Sequence, residues 1–209
     1  MRRTFLFTLP TLLLSVVAQS LWLPLLGHAQ APPPTAISPT PAGAGGLRTI
    51  VTPSPITTNI CSANCVITGG TRPGGGANLF HSFGQFNIGP GDITTFQNGI
   101  SFNTNGTALP AGLPTSNILA RITGTNGNNP TLSSIYGTLQ TSGFGNANLF
   151  LMNPAGFLFG PNATVNVGGM VSFTSADYLR FGDGKLFNAL PNPNADALLS
   201  SVPVAAYGF

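Results

Sequence analysis

Beyond the N-terminal leader, the side chains able to do acid–base, nucleophilic or metal chemistry are His81, Cys61, Cys65 and four aspartates, Asp92, Asp177, Asp183 and Asp196. Glutamate is absent from the sequence. His81 stands between Phe80 and Ser82 in a strand-like apolar run, where a structural imidazole is expected rather than a general base. Scattered carboxylates give a paired-carboxylate hydrolase or a calcium-dependent polysaccharide lyase few candidates. Asp177 and Asp183 are the nearest acidic pair and suit turns or caps. Gly74-Gly75-Gly76 has neither the Lys-Ser/Thr sequel nor the strand–helix context of a phosphate-binding loop. Cys61 and Cys65 offer two thiols with no His or Cys nearby, too few for a metal. In an oxidising compartment they can close a small local disulfide, and a structural staple is the reading preferred over a redox role. No catalytic residue, metal site or cofactor is expected.

Charge narrows the partners. Past the leader, Arg48, Arg72, Arg121, Arg180 and Lys185 oppose the four aspartates, a net charge of +1. The basic residues are scattered singly, so no nucleic-acid footprint is expected. Low charge with ordinary hydrophobicity differs from the high-charge, low-apolar composition of disordered chains. It suits a secreted β-protein rich in turns.

The leader itself reads as a secretory signal over residues 1–29. Arg2 and Arg3 form a positive start, Phe5 to Leu26 an apolar core broken by Pro10 and Pro24, and Gly27-His28-Ala29 a small-residue cleavage site. Pro24 and that exit argue against a membrane anchor. Arg2-Arg3 also resembles a twin-arginine signal, but the long hydrophobic core favours the general secretory route. Residues 30–56 are rich in Pro and Gly and read as a disordered or extended leader unable to supply interior strands. Residues 57–209 then read as one domain, Thr/Asn/Gly-rich with regular apolar punctuation.

Within that domain, short apolar pieces alternate with tight corners. From Asn146 to Arg180, Leu149–Met152, Phe157–Phe159, Thr164–Val167 and Met170–Phe173 are separated by Asn-Pro, Gly, Gly-Pro-Asn and Gly-Gly. No helix-length periodic run fits between these corners. Upstream, Leu79, Phe83 and Phe86 punctuate one strand, Asp92–Thr104 reads as a strand pair around Asn98-Gly99, and Ile118–Gly124 and Ile135–Leu139 read as further strands. Ala77-Asn78-Leu79-Phe80 recurs as Ala147-Asn148-Leu149-Phe150, an echo expected of a coiled architecture that reuses corner chemistry. Stacked corner asparagines are expected to satisfy backbone polar groups. Past Arg180 the pattern loosens, and Leu198–Tyr207 reads as a strand with no successor, as in a chain truncated at its C-terminus.

Leu151-Met-Asn-Pro-Ala-Gly-Phe157, Leu158-Phe-Gly-Pro-Asn-Ala163, Val165-Asn-Val-Gly-Gly169 and Thr174-Ser-Ala-Asp-Tyr178 resemble, in order, blocks of the two-partner secretion (TPS) domain of filamentous haemagglutinin-like exoproteins. Asn78-Leu79-Phe80-His81-Ser82-Phe83 and Ile118–Gly124 resemble the form common in cyanobacterial members. Ala155 and Phe157 depart from the commoner Asn-Pro-Asn-Gly-Ile, and Cys61 and Cys65 are not a general family feature. Asn153, Pro154 and Gly156 still supply the turn.

The resemblance implies an all-β, right-handed parallel β-helix acting as a secretion address. It implies passage through the periplasm and recognition by the POTRA domains of a partner outer-membrane β-barrel transporter. Release to the cell surface or medium follows, with Asn153, Pro154 and Gly156 shaping what the transporter reads. The alternatives are a carbohydrate-binding adhesin, its glycan contacts carried by a missing C-terminal region, and a polysaccharide-lyase-like β-helix enzyme. Short strands are expected from about residue 75 to 181, capped by the 57–75 region. Phe157, Phe159, Val165, Val167, Val171 and Phe173 are expected to point inward.

Overall fold

The computed structural model describes residues 31–53 and 59–209. The expected signal, residues 1–29, lies outside the described residues, as does the expected boundary at 56–57. Corners rich in Gly, Asn and Pro cut the chain into short strands. In chain order these are β1 (Ala36–Pro39), β2 (Thr49–Thr52), β3 (Cys65–Gly69), β4 (Asn78–Asn87), β5 (Ile93–Gln97), β6 (Ser101–Phe102) and β7 (Ala108–Leu109). There follow β8 (Asn117–Ile122), β9 (Ser133–Ile135), β10 (Thr138–Ser142), β11 (Asn148–Met152), β12 (Phe157–Phe159), β13 (Thr164–Asn166) and β14 (Val171–Thr174). The last three are β15 (Tyr178–Phe181), β16 (Leu186–Asn188) and β17 (Val204–Gly208), with a short helix α1 (Pro193–Asp196) before β17. The fold is all-β apart from α1 and two 3-10 turns.

The chain returns repeatedly to the same three sheets. In the first, β4, β8, β11 and β14 stack in parallel. In the second, β3, β5, β10 and β13 do the same. The third pairs β9 with β12 in parallel, and Ile88 bridges to Ile135 in the same position one passage earlier. Each passage runs first sheet, third, second, and the next adds one parallel strand to each. Thin strands cannot bury a face alone, so each passage is stabilised by its neighbours.

Two cores follow from the alternation of side chains. Leu79, Phe83, Ile118, Ala120, Ile122, Leu149 and Leu151 face inward with Ile67, Phe96, Ile135 and Leu139. Their neighbours Phe80, Leu119, Phe150 and Met152 form a second cluster with Leu179, Phe181, Phe187 and Leu199. That second layer is the antiparallel sheet β16-β15-β17, which covers the outer face of the first sheet. Covering both faces explains why every residue of β8 is buried.

Four expectations are corrected. The 30–56 segment is not wholly an unstructured leader: β1 pairs antiparallel with β4, and β2 antiparallel with β3. Both are edge strands, where a proline-rich segment can pair. The cap is not residues 57–75 alone: their strand β3 pairs with β5 and their Thr71 bridges to Phe80, while β1 covers β4 and β2 covers β3. The Asn98-Gly99 corner does not close a hairpin. β5 lies between β3 and β10, while β6 pairs with β7. Asn98 Nδ2 instead donates to Leu113 O and Gly143 O (both 3.0 Å), tying the corner to its neighbours.

The inward set is corrected in part. Phe157, Val167 and Phe173 are half-buried against the inner core, and Val171 aligns with Leu149. Phe159 and Val165 align with the fully buried Ile135 and Leu139, yet are 44% and 39% exposed. β12 and β13 are the outermost strands of their sheets, so no further passage among the described residues covers them.

Candidate functional site

Asn153 is fully buried and builds the turn that the sequence singles out. Its Oδ1 accepts from Ala155 N (3.0 Å), and its carbonyl accepts from Gly156 N (2.8 Å). Its Nδ2 donates to Thr131 O and Ser133 Oγ (both 2.9 Å) and to Gly156 O (3.1 Å). One amide thus joins β11 to the corner below and closes the turn on itself. Gly156 has φ +87°, which an L side chain rarely adopts, although a Cβ there would meet only Leu132 Cδ1 at 3.8 Å. The requirement for glycine is therefore conformational and not steric. Ala155 is exposed and Pro154 half-buried, so the turn presents its tip to solvent.

The block Asn78–Phe83 lies in β4, with every residue buried. Leu79, His81 and Phe83 belong to the inner side, Phe80 to the outer cluster. His81 packs against Phe83 (6.0 Å between centroids) and edge-on to Phe96 (5.4 Å). Its Nδ1 has no hydrogen-bond partner. Burial, with Arg72 adding to it, lowers its pKa to about 3, so the imidazole is neutral at ordinary pH. An enclosed neutral ring among phenylalanines cannot reach a substrate.

Asn78 opens a ladder across successive passages. Asn117 Nδ2 donates to Asn78 Oδ1 (2.8 Å), and Asn148 Nδ2 to Asn117 Oδ1 (3.0 Å). Met170 N then donates to Asn148 Oδ1 (3.0 Å). The steps span 39, 31 and 22 residues, so the passages shorten along the chain. The Ala-Asn-Leu-Phe echo occupies equivalent positions two passages apart, both copies aligned to Asn117-Ile118-Leu119.

Cys61 and Cys65 form a disulfide. Cys61 exchanges backbone hydrogen bonds with Ile37, which ties the stapled loop to β1. Among the described residues, no group of three or more His, Cys, Asp or Glu converges as a metal site would require. No described helix is long and apolar enough to cross a membrane.

The sequence reading missed two buried arginines. Arg72 is fully buried and donates to Ser101 Oγ (3.1 Å), Gly76 O (3.2 Å), Pro114 O (3.4 Å), Asn98 Oδ1 (3.4 Å) and Thr115 Oγ1 (2.7 Å). It thereby fastens the 98–116 excursion to the body, and burial lowers its pKa. Arg121 is equally buried and forks onto Asp196, with Nη1–Oδ1 at 2.9 Å and Nη2–Oδ2 at 2.8 Å. The available signal was Arg121 itself, a charge set inside the apolar run Ile118–Ile122. Buried charges are normally paired.

The TPS secretion domain family model matches residues 49–204, well over half of the 209-residue chain. No curated protein and no solved structure matches it. The matched span begins at β2 and contains the Asn153–Gly156 turn, the asparagine ladder and both buried arginines. This chain belongs to the TPS secretion domain family, the targeting domains of two-partner secretion.

Proposed function

We propose that the chain is the secretion-targeting domain of a large surface or secreted exoprotein, recognised by the POTRA domains of a partner outer-membrane β-barrel transporter. The observation that carries this reading is the family match over residues 49–204. The repeated parallel stacking supports a right-handed parallel β-helix as its folded form. Residues 1–29 direct the chain to the periplasm, and the transporter then delivers it to the cell surface or medium. Burial of the stacked apolar strands releases free energy without ATP, so folding on the far side favours outward movement. Charged residues make up only 5% of the chain, which keeps the electrostatic cost of threading low. The exposed tip of the Asn153–Gly156 turn shapes the element that the transporter reads.

The deciding experiment places residues 30–209 behind the signal and fuses them to an unfolded passenger. The fusion should reach the medium only when the cognate transporter is co-expressed. Equal release with and without the transporter overturns the targeting role. Gly156→Val should cost about 1–3 kcal/mol through its positive φ, and it should lower secretion more than periplasmic abundance. Unchanged secretion would confine the turn to a stability role.

A further inference from the structure

The earliest and latest parts of the fold meet on the outer face of the first sheet. The Phe80 ring lies edge-on to Phe181 (5.8 Å) and Phe187 (5.1 Å). Asn78 Nδ2 donates to Ser200 O (3.0 Å) and Val202 O (2.7 Å), spanning 122 and 124 residues. Arg121 joins three regions at one guanidinium. Its Nε donates to Ser82 Oγ (3.1 Å), its Nη2 to Gly45 O (3.0 Å), and its Nη1 to Asn188 O (3.1 Å), besides the fork onto Asp196. The guanidinium carbon lies 5.1 Å from the centroid of the Phe187 ring. Gly45 has no room for a side chain, because a Cβ would lie 2.7 Å from Pro191 Cβ and 2.8 Å from Arg121 Nη2. The N-terminal edge and the C-terminal segment are thus in contact.

Take residues 176–202 away and the outer face changes character. Phe80, Leu119, Phe150 and Met152 lose the cluster that buries them. Arg121 loses the Asp196 carboxylate and the Asn188 carbonyl and keeps only Ser82 Oγ and Gly45 O. A stack of passages held only by nearest neighbours can nucleate anywhere and grow. Here the stack also depends on contacts spanning 75 to 124 residues.

We infer that residues 176–202 are a closing clasp, and that strands β1–β14 reach their stable native state only when this segment docks on the first sheet. One consequence rests on the proposed secretion role. Whichever end of the chain leads, the clasp cannot close while Gly45 and Asp196 are on opposite sides of a membrane. This domain therefore remains threadable until residues 45 and 196 lie on the same side, where closure of the clasp opposes its return.

Native-state hydrogen exchange on the full chain tests the clasp without any substitution. Amides of β4 and β15 should open with the same free energy and the same denaturant dependence. Asp196→Ala, and separately Phe187→Ala, which leaves the ion-pair partners in place, should expose β1 and β4 together with β15–β17. Protease cleavage within residues 31–53 should become at least about tenfold faster in both variants. Opening of β15–β17 at lower free energy, with β4 and β8 still protected, would overturn the inference. With the transporter co-expressed, the Asp196→Ala chain should reach the medium but arrive protease-sensitive; arrival in the wild type's protected state also counts against the clasp. Transporter-independent release of the unaltered chain refutes the secretion reading instead, and the exchange result alone then decides the clasp.

Discussion

Acid should destabilise this fold through the buried imidazole of His81. His81 is buried between Phe83 and Phe96, its Nδ1 makes no hydrogen bond, and its pKa falls to about 3 through burial and, secondarily, Arg72. In the unfolded chain the same imidazole titrates near its ordinary value of about 6.5. The folded state therefore favours the neutral ring, and between the two pKa values the unfolded chain binds the extra proton. The His81 contribution is full above pH 6.5, falls as pH drops through that value, and is lost by about pH 3. At pH 4 the ratio of the binding polynomials corresponds to about 3 kcal/mol. Urea unfolding followed by circular dichroism at pH 7 and pH 4 measures the loss. His81→Leu provides the control, because it removes the imidazole and leaves every carboxylate in place. The wild type should lose about 3 kcal/mol more than the variant between the two pH values. Equal losses would mean that His81 stays protonatable in the folded state, and would refute the account of an enclosed neutral ring.

Three further outcomes are expected. Arg72→Met removes a buried donor from five acceptors and should cost on the order of 3 kcal/mol in urea unfolding, with proteolytic nicking appearing first in residues 103–112. Asn117→Ala breaks the ladder in its middle and strands Asn78 Oδ1; about 2 kcal/mol should be lost, and exchange protection should fall in β4 and β11 alike. Replacing Cys61 and Cys65 by serine opens a short loop and should cost about 2 kcal/mol by chain entropy. Export of that double variant, measured with the transporter present, should match the wild type.

Local chemistry made part of this protein legible. Asn, Gly and Pro corners fix where strands stop, and the period-2 pattern of Ile118, Ala120 and Ile122 marks one inward face. The Asn153-Pro154-Ala155-Gly156 turn needs only its own residues, an Asx side chain and a glycine at positive φ. The Ala-Asn-Leu-Phe echo carried real register information, because both copies align to Asn117-Ile118-Leu119. The family blocks, from Asn78 to Tyr178, fall within residues 49–204, the span that the TPS secretion domain model matches.

Other features had no local signature. The strand β1 is extended like any proline-rich leader until β4 offers it an edge. Phe80 and Leu119 look like ordinary alternation failures until β15 and β16 cover them. Arg121 reads as one scattered charge until Asp196, 75 residues later, supplies its partner. Short-range sterics and turn preferences act between neighbours, so the sequence by itself determined the strands, the corners and the repeating inward face. Which surfaces are doubly buried, and which charges are paired, depends on groups brought together only after the chain has closed on itself, so the tertiary structure alone decided them.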